Sequence, residues 1–129
     1  MNWFLDYYRI AARALARIGI LAIIVLSVVP AVDRPVTGFG QLFEHFTAFA
    51  LVGGAFAIGY RFSPTRLLLS VFSFCVGIEL LQVMLPTRHA RVSDFVINFV
   101  GASFAIGCVV AAVAYSRHKS SNRLSDSSV

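Results

Sequence analysis

The sequence predicts an all-α integral membrane protein, a bundle of four transmembrane helices with a short N-terminal interfacial helix before the first. Of its 129 residues, 58% are hydrophobic and 13% charged, and the mean hydropathy is +0.80. That is too apolar for a water-soluble domain of this length. Four segments, about 14–32, 42–60, 65–85 and 92–115, approach or exceed the roughly 20 residues needed to cross a hydrocarbon core. None alternates with the two-residue period of a barrel strand, and Ala, Leu, Ile and Phe dominate. Residues 1–115 therefore read as one transmembrane domain, and the polar, serine-rich stretch 116–129 as a disordered cytoplasmic tail.

The net charge of +5 is not a nucleic-acid footprint, because the basic residues gather at span ends. Arg9, Arg13 and Arg17 precede the first span, Arg61 and Arg66 separate the second from the third, and Arg117, Lys119 and Arg123 follow the fourth. Only Arg34, Arg88 and Arg91 fall on the other side. The positive-inside rule then puts both termini in the cytoplasm.

Along the chain, Trp3, Phe4, Tyr7, Tyr8 and Ile10 accompany three arginines spaced four apart, a stripe that suits a helix lying on an anionic leaflet. The same stripe is also what an ordinary positive flank looks like. Val29-Pro30-Ala31 loosely resembles a signal-peptide cleavage site, but three more spans follow, so a retained helix is expected. Pro30, Pro35, Gly38 and Gly40 make the first outer loop. The second span carries a stripe of Gln41, His45, Ala48, Val52, Ala55 and Gly59, polar at its outer end and mostly small below. Small residues let helices approach closely in lipid, which marks this face as bundle-facing. Pro64 divides the second span from the third. Glu79 and Gln82 share a face near the outer end of the third span, and the fourth repeats the pattern with Asp94, Asn98, Gly101, Ala105, Cys108 and Ala112. Cys75 and Cys108 read as buried, unpaired residues within these last two spans.

With this topology His45, Glu79, Gln82, Asp94 and Asn98 all lie in the outer half of the membrane, Glu79 and Asn98 each roughly 9 Å below its edge. Polar groups at that depth are costly and usually face a bundle interior or an aqueous cleft. His45, Glu79 and Asp94 are candidates for an acid–base set or for three metal ligands. There is no His-Glu-x-x-His, no cysteine pair and no nucleophile beside a base, so neither a metal nor a cofactor is expected. Arg88 and Arg91 are candidates to hold phosphate bidentately. They could instead snorkel to the interface, or Arg91 could pair with Asp94 three positions on. Asp94 also suits a helix N-terminus as a cap or first-turn anion. Gln82 and Asn98 suit interhelical hydrogen bonding or the lining of a ligand site with Glu79.

Ser27-Val-Val-Pro30, His45-Phe-Thr-Ala-Phe49-Ala, Glu79-Leu-Leu-Gln82, Pro86-Thr-Arg88 and Asp94-Phe-Val-Ile-Asn98-Phe-Val-Gly101 together resemble the VanZ-like family of small bacterial membrane proteins. The resemblance covers most of residues 27–107. It departs at Gln41-Leu42, where the family often has an Asp-Lys pair. It implies a multi-pass protein of the bacterial inner membrane with a link to teicoplanin resistance, and supplies no biochemical activity. The expectation is a polar cleft on the extracytoplasmic side that binds or handles an anionic envelope lipid or wall precursor. The alternatives are a membrane-embedded enzyme with His45 and Glu79 as acid and base, and a structural partner in a larger complex.

Overall fold

The computed structural model describes residues 3–30, 38–86 and 91–126. Among them are four helices: α1 (Trp3–Val28), α2 (Gln41–Gly59), α3 (Pro64–Val83) and α4 (Val92–Asp126). All four are long and apolar enough to cross a membrane. Their outward faces are apolar too, with Leu21, Leu51, Leu69, Leu80 and Phe104 each exposed. Such a surface would drive aggregation in water and suits contact with acyl chains.

The α2–α4 pair is the centre of the bundle, with α1 laid chiefly on α2 and α3 on α4. Small residues set how closely α2 and α4 approach. A Cβ on Gly53 would stand 2.8 Å from the Ala102 carbonyl oxygen, and one on Gly101 would stand 2.5 Å from that of Phe46. These two glycines let backbone pack directly on backbone, which lipid-embedded helices use in place of a hydrophobic driving force. Around this seam sits a core of Ile23, Phe49, Leu67, Val71, Cys75, Ile78, Ala102 and Ile106. Phe72 of α3 meets both Phe95 and Phe99 of α4 edge-on at 5.7 Å, a geometry that aromatic quadrupoles favour.

The helix ends follow from local chemistry. Gly40, at φ 87°, precedes α2 in the left-handed region that a side chain would disfavour. Its carbonyl accepts the Glu44 N–H at 3.2 Å. Ser63 caps α3 through its hydroxyl, which accepts the Arg66 N–H, and Pro64 takes the first helical position. The C-terminal end of α2 is closed from α1. Arg13 Nε donates to the Gly59 carbonyl at 2.8 Å, its guanidinium lies 5.6 Å from the Tyr60 ring centroid, and Arg17 Nε donates to the Tyr60 hydroxyl.

Three expectations are corrected. The N-terminal stretch is not a separate interfacial helix but the first part of a continuous α1, which starts at Trp3 rather than near residue 14. The reason is the arginine pair just described, whose partners lie on α2 and so hold this segment in the bundle. The tail is not disordered from residue 116, because α4 continues to Asp126. No Gly or Pro interrupts it after Gly107. Ser116 Oγ donates back to the Ala112 carbonyl at 2.9 Å, and Asn122 and His118 meet at 3.3 Å one turn apart. At 1.5 Å per residue α4 is about 52 Å long, so its polar end projects well past a hydrocarbon layer about 30 Å thick. Finally, Cys75 is buried but Cys108 is exposed. The buried stripe of α4 runs through Asn98, Ala102 and Ile106, with Val110 packed on the core, so Cys108 lies off it and faces outward.

Candidate functional site

Three helix ends meet at one end of the bundle: the start of α2, the end of α3 and the start of α4. There His45, Gln82, Asp94 and Asn98 retain only 8%, 5%, 6% and 1% of their exposure. A polar group so enclosed is costly unless it is hydrogen-bonded. His45 Nδ1 lies 2.9 Å from Asn98 Oδ1. With the amide oriented this way, Nδ1 carries the proton and donates. Gln41 Nε2 donates to Asp94 Oδ2 at 3.1 Å, and Ser93 Oγ donates to Asp94 Oδ1 at 3.4 Å. Two polar bridges one turn apart thus fasten α2 to α4 immediately above the Gly101–Phe46 contact.

Asp94 sits in the first turn of α4, where the helix dipole favours an anion. Its own N–H is bonded to the Arg91 carbonyl at 2.9 Å. Among the described residues the Asp94 carboxylate is engaged by Gln41 and Ser93 and not by the Arg91 side chain, which is exposed at the rim. The i, i+3 ion pair considered from the sequence is therefore not made. Ser27 is the contribution of α1 to this end of the bundle. It is buried, and its hydroxyl donates to the Ile23 carbonyl at 2.7 Å.

Glu79 behaves differently from the other acids. It faces a groove of about 270 Å³ between α3 and α4, walled by Val76, Leu80, Val83, Val92 and Phe95, with Arg91 also lining it. The Asp94 carboxylate is close enough for its charge to be felt at Glu79. Glu79 Oε1 is enclosed and has no hydrogen-bond partner among the described residues.

The candidates therefore divide into two sets. His45, Asp94 and Asn98 are drawn together in the α2–α4 seam, imidazole on amide and carboxylate on amide. Glu79 and Arg91 belong to the α3–α4 groove. Gln82 is buried in the last turn of α3, and Arg88 lies outside the described residues. The reading of His45, Glu79 and Asp94 as three ligands of one metal is not supported, since no three His, Cys, Asp or Glu among the described residues converge to hold an ion.

Sequence reasoning missed Gln41 as the donor to Asp94, and it missed the groove. The Gln41 signal was present, because Gln41 and His45 are one turn apart on α2, as are Asp94 and Asn98 on α4. The groove had no such signal, since its walls are residues that would look equally apolar facing lipid or packed inside. No protein-family model, curated protein or solved structure matches the chain.

Proposed function

We propose that this is a lipid-binding protein of the bacterial inner membrane, VanZ-like, which holds the phosphate-bearing head of an envelope lipid at its polar end. In this reading both termini are cytoplasmic and the polar end is extracytoplasmic. The observation that carries it is the α3–α4 groove, in which apolar walls open sideways beside a cation. Leu80, Val83 and Val92 are exposed where a bilayer would place acyl or prenyl chains, and Arg91 stands at the level of the headgroups. Arginine matches phosphate geometry in a way a point charge does not. Support for the family reading is spatial: His45, Asp94, Asn98 and Gly101, four residues of the resemblance, fall in one interface between α2 and α4.

The test is native mass spectrometry of the protein released from mild detergent, wild type beside Arg91→Ala. A bound lipid phosphate on the wild type, lost or weakened about tenfold in the variant, is the expected result. A wild-type spectrum without any lipid adduct, after extraction that retains lipids on other membrane proteins, would overturn the reading.

A further inference from the structure

The opposite end of the bundle carries a second arrangement, in which Arg13 and Arg17 stand one turn apart on α1, both exposed. Each is fixed through one nitrogen. Arg13 Nε donates to the Gly59 carbonyl at 2.8 Å, and Arg17 Nε donates to the Tyr60 hydroxyl at 3.3 Å. The Arg13 guanidinium also lies 5.6 Å from the Tyr60 ring centroid, and that ring stacks on Phe62 at 5.6 Å. Two guanidiniums are thus positioned by one short stretch at the end of α2. Among the described residues neither makes an ion pair, and the Nη donors of both are uncommitted. Like charges one turn apart on a helix repel. An anion bridging the two would relieve that repulsion and take up the Nη donors.

Depth identifies the anion. α2 has 19 residues, about 28 Å at 1.5 Å per residue, close to the roughly 30 Å of a hydrocarbon layer. Gly59 and Tyr60 therefore mark the boundary where lipid phosphates begin, a level that tyrosine favours. Arg17 starts one turn deeper, toward the Gly19–Val52 contact, and its stem carries the charge back to Tyr60. From this placement we infer that Arg13 and Arg17 clamp the phosphate of an anionic phospholipid, in the leaflet that meets the Tyr60 end of the bundle. Guanidinium forks match a phosphodiester bidentately. A zwitterionic head fits less well, because neither arginine is paired with a carboxylate that could receive an ammonium. The clamp is separate from Arg91 and does not depend on how the α3–α4 groove is read. α4 offers cations for comparison. With Gln41 opposite Asp94 and His45 opposite Asn98, the level of Gly59 falls near Ala112. Arg117 and Lys119 are exposed one to two turns further on, with the same charge but nothing that fixes it at the boundary.

The experiment reads the lipid beside the clamp from one tryptophan in the full chain. Trp3→Phe removes the single native tryptophan, and Phe62→Trp puts a reporter next to Tyr60 at an exposed position. This parent is reconstituted in phosphatidylcholine vesicles containing increasing brominated phosphatidylglycerol or brominated phosphatidylcholine, and quenching is measured at constant ionic strength. The expected result is a preference for phosphatidylglycerol of about tenfold. Arg17→Ala should lower it about fivefold, the worth of one basic residue at an anionic surface. Tyr60→Phe keeps both charges but releases Arg17, and should lower it about twofold. Arg91→Ala and the double variant Arg117→Gln, Lys119→Gln should leave it unchanged. Equal quenching by the two lipids in the parent overturns the inference. So does a loss in the α4 double variant as large as in Arg17→Ala, which would mean that diffuse charge draws the lipid. A preference untouched by Tyr60→Phe counts equally against a positioned clamp, and displacement of the lipid by inorganic phosphate would assign the arginines to a free anion instead.

Discussion

The closeness of α2 and α4 at Gly101 makes Gly101→Ala the sharpest structural test. The added Cβ would lie 2.5 Å from the Phe46 carbonyl oxygen and 3.1 Å from its Cα. Both are backbone atoms, so no rotamer change relieves the contact. Restoring ordinary contact near 3.4 Å requires the two helices to separate by about 0.9 Å. His45 adjoins Phe46, and Asn98 is one turn from Gly101, so the same displacement would carry the His45–Asn98 pair from 2.9 Å beyond hydrogen-bonding distance. Overpacking of this kind costs about 1–3 kcal/mol, and loss of an interhelical hydrogen bond in a membrane protein adds up to about 1.7 kcal/mol. The combined destabilisation is about 2–4 kcal/mol. Gly107→Ala is the control in the same helix, because a Cβ there meets nothing within 4 Å. It is expected to leave stability unchanged or raise it by under about 1 kcal/mol. Equilibrium unfolding by sodium dodecyl sulfate in mixed micelles, followed by circular dichroism, gives both values. A Gly101→Ala protein as stable as Gly107→Ala would refute the close-packed seam.

The seam, the α2 cap and the two cysteines supply the remaining expectations. In a double-mutant cycle, His45→Ala and Asn98→Ala should couple by about 0.6–1.7 kcal/mol, measured by the same unfolding titration; additive effects would mean that the two side chains act independently. Arg13→Ala should destabilise the bundle by about 1–2 kcal/mol, since it removes a charged donor from the Gly59 carbonyl and a cation from the Tyr60 ring. Arg13→Lys should restore only part of this, because lysine has no Nε–H in a planar fork. Cys75→Phe should destabilise the bundle by about 1–3 kcal/mol by the same titration, while Cys108→Phe, on the acyl-chain face, should change it little; equal effects would contradict the place of Cys75 in the core.

Much of the architecture could be read from the chain because its signals were strong ones. Apolar length marked four spans, Pro64 marked the join between α2 and α3, and the depth of Glu79, Asp94 and Asn98 marked the polar end. The bundle-facing stripe of α2 held as expected, with His45, Ala55 and Gly59 buried. On α4 the same logic worked for Asp94, Asn98 and Gly101 and failed at Cys108 and Ala112, which are exposed. The failure has a physical cause. In lipid, the face toward the bundle and the face toward acyl chains are both apolar, so composition does not report which face of the helix is turned to the bundle. Arg13 was misread for a related reason. A basic residue near a span end suits the membrane surface wherever it points, and only the position of the α2 terminus reveals it as a cap. The Glu79 groove depends on the relative rotation of α3 and α4, which no local pattern encodes.

Placing a photoreactive side chain at Val83 in the groove, and separately at Leu69 on the opposite end of α3, tests the central claim most directly. Both positions are exposed, at 67% and 61%, so both should meet lipid, but only Val83 lines the groove beside Arg91. After irradiation in native membranes, the lipids attached at each position are identified by mass spectrometry. The account predicts one phosphate-bearing lipid class enriched at Val83 over Leu69, with the enrichment lost in Arg91→Ala. The same bulk lipid mixture at both positions, unchanged by Arg91→Ala, would contradict it.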